Sequence, residues 1–280
     1  MSEAAPPPST LPYPPIHEGK KFVVLSDWDG TITTHDSNDY MTDNYGFGKE
    51  KRRQLNIEVL EGKSTFRDTF HDDLASVAAN GHTFEDCKEI LRNNIHLDPG
   101  FKDFYSWCKA HDIPVIIVSS GMEPLIRAVL SKHVGEEAAK EIDIIANDVQ
   151  IFPDGKWEIK FRHPSSGFGH DKSQAILPYR RLPQPPTLFF FGDGVSGEPI
   201  SLPLSTPYSD SCFVSWNKDI SAAKHADVLF VKTKDNGEND LATYCRREGI
   251  KHALFSNFFK VLPIVESIVD GRKTIDEVVE

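Results

Sequence analysis

Asp27-Trp28-Asp29 follows directly on the apolar run Phe22-Val23-Val24-Leu25-Ser26 and leads into Gly30-Thr31-Ile32-Thr33. The run has the length and residue types of a buried strand. Two carboxylates then emerge at its C-terminal edge, where open α/β sheets place their ligands. Like charges this close repel, and without partners they are costly to desolvate. A hard divalent cation removes both penalties. The competing reading is an Asp-x-Asp-Gly turn, since Asp and Gly are ordinary turn residues.

Two further apolar runs end in small or acidic residues. Ile113 to Val118 leads into Ser119-Ser120-Gly121, and Thr187 to Phe191 leads into Gly192-Asp193-Gly194. In a doubly wound sheet these tips and the Asp27 tip face one crevice. Lys172, in Gly169-His170-Asp171-Lys172-Ser173, stands just before a helical run. A lysine there is disfavoured by the helix dipole, so another interaction is expected to hold it; on its own it reads equally as a solvated surface lysine.

Asp27 to Thr33 resembles the first motif of the haloacid dehalogenase superfamily, Asp-x-Asp-Gly-Thr-hydrophobic-Thr. Ser119, Lys172 and Asp193 resemble its second, third and fourth motifs, in order. The resemblance implies Mg2+-dependent hydrolysis of a small phosphomonoester. Asp27 would be the nucleophile, forming an aspartyl-phosphate, and Asp29 the proton shuttle. Ser119, Ser120 and Gly121 would meet the phosphoryl oxygens and Lys172 would neutralise charge. The metal would be held by Asp27, Asp193 and the backbone carbonyl of Asp29.

The fourth motif departs from the family pattern Gly-Asp-Gly-x-x-Asp, because Gly197 and then Glu198 follow Ser196. Joining Ser196 to Asp219 restores the pattern, as Gly-Asp-Gly-Val-Ser-Asp-Ile-Ser-Ala-Ala. Gly197 to Lys218 thus reads as an anomalous insertion, either genuine or translated intron sequence, with Asp219 as a further metal ligand if the backbone returns. If it does not, the alternative is a protein that keeps the fold for binding or regulation without turnover.

These residues need a scaffold. Apolar runs near 22–26, 113–118, 142–146, 187–191 and 227–231 alternate with helical patterns, which indicates a parallel sheet with right-handed crossovers. Gln150 to Phe152 and Trp157 to Phe161 flank Pro153-Asp154-Gly155, a hairpin signal. The stretch from Asp36 to Leu97 has helical spacing throughout. The expected architecture is a doubly wound, Rossmann-like α/β sheet with a small helical cap inserted after the first strand. The core is 18–35 and 99–280, the cap 36–98, and 1–17 a disordered Pro-rich tail.

Glu61-Gly62-Lys63-Ser64-Thr65-Phe66 resembles the cap of the phosphoserine-phosphatase-like branch. Asp36 takes the place of the acid that binds the substrate amino group there, and His71, with Arg67 a turn earlier, the place of the carboxylate-binding arginine. A histidine does not reproduce a bidentate guanidinium contact, so the organic part of the substrate stays open. Residues 226–258 resemble the branch acting on the phosphorylated diketone of methionine salvage.

A net charge of −11 argues against nucleic acid or anionic membrane as partner and leaves a small phosphorylated metabolite. Cys87, Cys108, Cys212 and Cys245 form no CxxC pair, which fits reduced thiols in the cytoplasm. No apolar stretch reaches the ~20 residues of a membrane span.

Overall fold

β1 (Phe22–Ser26) is buried over its whole length. The pleat sends Phe22 and Val24 into one apolar cluster and Val23 and Leu25 into another. β5 (Thr187–Gly192) divides in the same way, with Phe189 and Phe191 on one side and Leu188 and Phe190 on the other. Strands apolar on both faces must be covered on both, which is why they read as continuous runs and not as alternation.

A computed structural model of the chain describes residues 8–194, 219–233 and 239–279. The remaining strands are β2 (Val115–Met122), β3 (Asp143–Ile151), β4 (Trp157–Lys160), β6 (Val228–Lys232) and β7 (Ala253–Phe255). They form one seven-stranded sheet in the order β4-β3-β2-β1-β5-β6-β7. All pairs are parallel except the β3–β4 hairpin, where Ile151 opposes Trp157. The sheet grows outward in both directions from β1, so the switch point falls where β1, β2 and β5 end together.

Between β1 and α5 (Phe101–Ala110) lie four helices, α1 (Ser37–Tyr45), α2 (Lys49–Leu60), α3 (Phe66–Ala79) and α4 (Phe84–Asn94). Local signals set their starts: Asp36 caps α1, Thr65 caps α3, and Thr83 with Asp86 forms a capping box on α4. The chain enters and leaves this layer through a short antiparallel ribbon. There the Thr34 N–H donates to the His96 carbonyl (3.0 Å) and the Asp98 N–H to the Ile32 carbonyl (2.7 Å). The hairpin reaches the same layer, since the Trp157 indole N–H donates to the His82 carbonyl at 2.9 Å.

Other helices cover the sheet: α6 (Glu123–Val134), α7 (Glu136–Glu141), α8 (Ser173–Arg180), α9 (Ile220–Ala223), α10 (Asp240–Glu248) and α11 (Phe258–Val269). β3 runs unbroken where the sequence shows two separate runs. Polar Asn147 lies inside it, fully buried, because its side chain donates to the Ser120 carbonyl (2.7 Å) and accepts from the Arg162 N–H (2.8 Å). β7 escaped notice because it is only three residues long and exposes Leu254.

The disordered tail expected over 1–17 needs correction for its described part. The buried Arg162 guanidinium donates to the carbonyls of Leu11 (3.1 Å) and Pro12 (3.0 Å), and its charge lies 4.8 Å from the centre of the Tyr13 ring. The Tyr13 hydroxyl meets His163 Nε2 at 2.9 Å, and His17 Nε2 pairs with Asp143 at 2.7 Å. Composition is blind to this, because a single buried arginine supplies the donors that an extended Pro-rich segment lacks.

Candidate active site

The turn after β1 is tied to one carbonyl. Trp28 O accepts from the N–H groups of Thr31, Ile32 and Thr33 and from the Thr33 hydroxyl. That knot explains Gly-Thr-hydrophobic-Thr as structure: Thr33 Oγ1 also accepts from the Gly30 N–H at 3.0 Å. Gly30 has φ +74°, and a Cβ there would stand 2.2 Å from Asp193 Oδ2. Two requirements therefore converge on glycine at this position, a left-handed backbone and close approach to a carboxylate.

Asp27 is buried at the end of β1. Its Oδ1 accepts from the Trp28 N–H at 2.7 Å and lies 2.6 Å from Lys172 Nζ. Lys172 immediately precedes α8 and is 1% exposed, so the surface-lysine reading fails. Its ammonium also donates to Asp219 Oδ1 at 2.7 Å. Burial works against the charge of Lys172, but Asp219 and Asp27 outweigh it and raise the pKa.

Asp219 closes the site. Its Oδ2 accepts from the Gly194 N–H at 3.0 Å, and a Cβ on Gly192 would fall 2.5 Å from that same oxygen. Asp193 follows β5 directly. Asp27, Asp193 and Asp219 bring ligand oxygens within 4.8 Å of one another, all three buried. An all-carboxylate oxygen set is the donor chemistry of a hard cation, and Mg2+ fits these residues. The segment read as an insertion, 197–218, lies outside the described residues, yet the acid beyond it stands in the cluster. The interruption of the fourth motif has not removed its second acid from the site.

Asp29 points elsewhere. Its Oδ1 accepts from the Ser37 N–H (2.8 Å) and hydroxyl (2.6 Å), and its Oδ2 from the Asn38 amide (2.8 Å). Burial first, then the charge of Asp36, pushes its carboxyl up to about 8, against the pull of Ser37. The shift favours the protonated form. The carboxyl beside it, Asp27, faces an ammonium instead. Two acids separated by one residue thus have different electrostatic surroundings, an ammonium for Asp27 and a set of neutral donors for Asp29.

Ser119 and Ser120 lie within the C-terminal part of β2, which shifts register between Val118 and Met122. Ser119 Oγ accepts from the Gly121 N–H at 2.9 Å. A Cβ on Gly121 would meet Ser119 Oγ at 3.3 Å and Asp29 Oδ2 at 3.7 Å, so the second tip borders the same space as the first.

The model of the family described as haloacid dehalogenase-like hydrolase matches residues 24–196. The chain belongs to the haloacid dehalogenase-like hydrolases. A Schizosaccharomyces pombe protein named Pdp3-interacting factor 1 is 44% identical over 241 residues, covering 85% of this chain and 92% of that one. Polyol phosphate phosphatase PYP1 of Saccharomyces cerevisiae is 39% identical over 269 residues, covering 93% and 99%. A phosphoserine phosphatase solved with a phospho-aspartyl intermediate analogue superposes with TM-score 0.55 at 16% identity, covering 88% of this chain and 99% of that one. Within the haloacid dehalogenase-like hydrolases this chain is a phosphate-ester hydrolase with the fold of the phosphoserine-phosphatase-like branch.

The three residues expected to read the substrate fare differently from the four motifs. Asp36 Oδ1 accepts from the N–H groups of Asn38 and Asp39, both at 2.8 Å, so it caps α1 while also lining a cavity beside Asp193. Arg67 pairs with Asp68 at 2.7 Å and also donates to the Pro164 carbonyl. His71 is exposed beside Asp72. Neither Arg67 nor His71 lines that cavity. Both stand on the 14-residue α3, where position in sequence alone does not fix which way a side chain points.

Sequence reasoning missed the residues that hold the machinery in place. Ser37 and Asn38 fix Asp29. His170, 1% exposed, places its Nδ1 2.6 Å from the Ser119 carbonyl, and burial holds its pKa well below the ordinary value. The only available signal for His170 was its place two residues before Lys172.

Proposed function

We propose that this hydrolase cleaves a small phosphomonoester with Mg2+, through an aspartyl-phosphate on Asp27. The reading is supported by one arrangement: three buried carboxylates gathered with the Lys172 ammonium, and a fourth, Asp29, held by Ser37 and Asn38 with its pKa raised by burial. Asp27 attacks phosphorus in line, its new P–O bond forming as the ester P–O bond breaks. Asp29 gives its proton to the departing alkoxide and recovers one from the water that attacks the acyl phosphate. Lys172 and the Ser119 hydroxyl counter charge on the phosphoryl oxygens, with Ser120 and Gly121 beside them. A divalent cation held by Asp27, Asp193, Asp219 and the Asp29 carbonyl supplies further charge neutralisation when bound.

Residues 36–98 act as the cap, excluding water and choosing the alcohol. The name of the yeast relative supports a polyol phosphate as substrate, and the net charge of −11 supports a metabolite over nucleic acid. Free, buried Cys87, Cys108 and Cys245 support a reducing compartment such as the cytoplasm. No helix among the described residues is long and apolar enough to cross a membrane. The test is phosphate release from an aryl phosphate with and without Mg2+, using Asp27→Asn as blank. Equal release by that variant would sink the assignment of the nucleophile.

A further inference from the structure

A cavity of about 670 Å³ opens beside the catalytic cluster, within the ~300–1,000 Å³ typical of small-molecule sites. At its inner end are Gly30 and Asp193; α1, α2 and the tips of the core form its walls. The α1 wall has a repeating composition. Asp36, Asp39, Tyr40, Asp43 and Asn44 all line the cavity, and their spacing puts them on one helix face. Every one of them ends in an oxygen or amide, so the face offers no apolar contact surface beyond the Tyr40 ring.

Arg52 of α2 lines the same cavity beside this face. Its Nε and Nη2 donate to the two oxygens of Asp43 (2.7 and 2.9 Å), and its Nη1 to Asp39 Oδ2 (2.8 Å). The relative exposure of the partners decides the chemistry. The Arg52 side chain is 5% exposed, whereas those of Asp39 and Asp43 are 22% and 20% exposed. The carboxylates are therefore the more accessible partners, and the guanidinium reaches the cavity with its N–H groups already engaged by them. On the opposite wall Lys232 is likewise engaged, 2.7 Å from Asp98 Oδ2 and 2.7 Å from the Thr31 carbonyl. Lys49 also lines the cavity and is exposed, where an ion pair with substrate is worth little.

Resting on the phosphomonoesterase reading above, we infer that the Asp39–Arg52–Asp43 cluster is the specificity element for the leaving group and selects a neutral, polyhydroxylated alcohol. A substrate carboxylate would meet two carboxylates first, and the one guanidinium positioned to clamp it is already held bidentately by Asp43. Hydroxyl groups meet acceptor oxygens already fixed in place by Arg52, and each donates a hydrogen bond. An ammonium group is the rival that the panel must separate, because one guanidinium leaves the two carboxylates with a net negative charge.

The test is a kcat/KM panel on the full chain with Mg2+. Its members are an open-chain polyol phosphate, an alkyl phosphate of equal length, phosphoethanolamine, 3-phosphoglycerate and p-nitrophenyl phosphate. We expect the polyol phosphate to exceed the alkyl phosphate and 3-phosphoglycerate by at least about tenfold each, as a site built to bind hydroxyls discriminates against analogues lacking them. In Asp43→Asn, and separately in Asp39→Asn, the polyol-to-phosphoglycerate ratio should fall by about tenfold or more as the guanidinium is released. Melting curves check that each variant folds, and the wild-type panel stands by itself if neither does. Preference for phosphoethanolamine, parity of alkyl and polyol phosphates, or an unchanged ratio in a folded variant would overturn the inference. No hydrolysis of any ester, p-nitrophenyl phosphate included, would instead overturn the phosphatase reading beneath it.

Discussion

Lys172 Nζ lies 2.7 Å from Asp219 Oδ1, although 47 residues separate the two in sequence. The contact joins the start of one helix to the start of another across the end of β5, and the Gly194 N–H holds the second oxygen of the same carboxylate. Removing Lys172 leaves carboxylates buried together without their ammonium, a loss that typically costs about 3–5 kcal/mol. Lys172→Ala should therefore melt well below wild type in the presence of a chelator. Mg2+ should restore part of the difference, since a ligand that binds only the folded state stabilises it by about 2.7 kcal/mol at a hundred times its Kd. Asp193→Asn should melt with a smaller Mg2+ response than wild type. Differential scanning fluorimetry with and without MgCl2 measures both, and an identical Mg2+ shift in Asp193→Asn would remove Asp193 from the metal shell.

The distance from Gly194 N to Asp219 Oδ2 makes a second prediction. If residues 197–218 are deleted so that Ser196 precedes Asp219, the chain already has the spacing that the family pattern requires. The deletion variant should fold, and its aryl phosphatase activity should stay within about threefold of wild type, because closure entropy changes only slowly with the length of chain between two fixed points. A folded variant with activity reduced by orders of magnitude would mean that those residues contribute directly to turnover.

How much of this was legible beforehand depends on the kind of constraint. Asp27, Asp193 and Ser119 were readable because each follows or ends a strand whose apolar run is unmistakable, and strand ends have a common destination in this topology. Lys172 was ambiguous by itself and gained meaning only from a pattern spread over the chain. Arg67 and His71 lie outside the cavity that Asp36 lines, because helical register and side-chain direction decide what a cap residue faces, and neither is fixed by spacing alone. Arg52 was invisible for another reason: it reads as one cation among many in a charged helix, and its value lies in Asp39 and Asp43 on the preceding one. The docking of residues 8–17 could not be seen either, because it hangs on a single buried arginine far along the chain.

That docking carries a prediction of its own. The Arg162 guanidinium ties the Leu11 and Pro12 carbonyls to the Ala146 carbonyl, next to Asn147, whose side chain accepts from the Arg162 backbone N–H and holds the Ser120 carbonyl. Arg162→Lys keeps the backbone bond but cannot reproduce the divergent guanidinium contacts from one ammonium. It should lower kcat/KM by about tenfold, an increment of ~1.4 kcal/mol, and weaken inhibition by inorganic phosphate in parallel. A fall in thermal stability with an unchanged phosphate inhibition constant would make the role purely structural.

His170 predicts the acid limit of stability. It is buried and held well below its ordinary pKa. Below about pH 6.5 the unfolded chain takes up a proton here that the folded chain refuses, so the unfolded state binds more protons and stability falls as pH falls. The slope attributable to this site approaches ~1.4 kcal/mol per pH unit until the folded-state pKa is reached. His170→Gln, which can still donate to the Ser119 carbonyl, should be less stable at pH 7.5 but should lose less on going to pH 5.5. Urea titrations at the two pH values measure the difference, and parallel losses in both proteins would mean that His170 is not the linked group.

The division of labour between Asp27 and Asp29 can be tested by leaving group. Ser37 and Asn38 hold Asp29 away from the carboxylate cluster, where its part is to protonate the departing oxygen. A nitrophenolate leaves without a proton, whereas an alkoxide does not. Asp29→Asn should therefore lose about 10²–10⁴-fold in the first step with an alkyl phosphate, the usual worth of general acid catalysis, and much less with p-nitrophenyl phosphate. In the aryl reaction the variant should show a burst of nitrophenol followed by slow turnover, because water attack on the acyl phosphate still lacks its base. Acid-quenched protein should then carry phosphate on Asp27, detectable as a mass increase abolished by Asp27→Asn. Equal losses on alkyl and aryl esters, with no trapped phosphoenzyme, would show that Asp29 shapes the site without moving a proton.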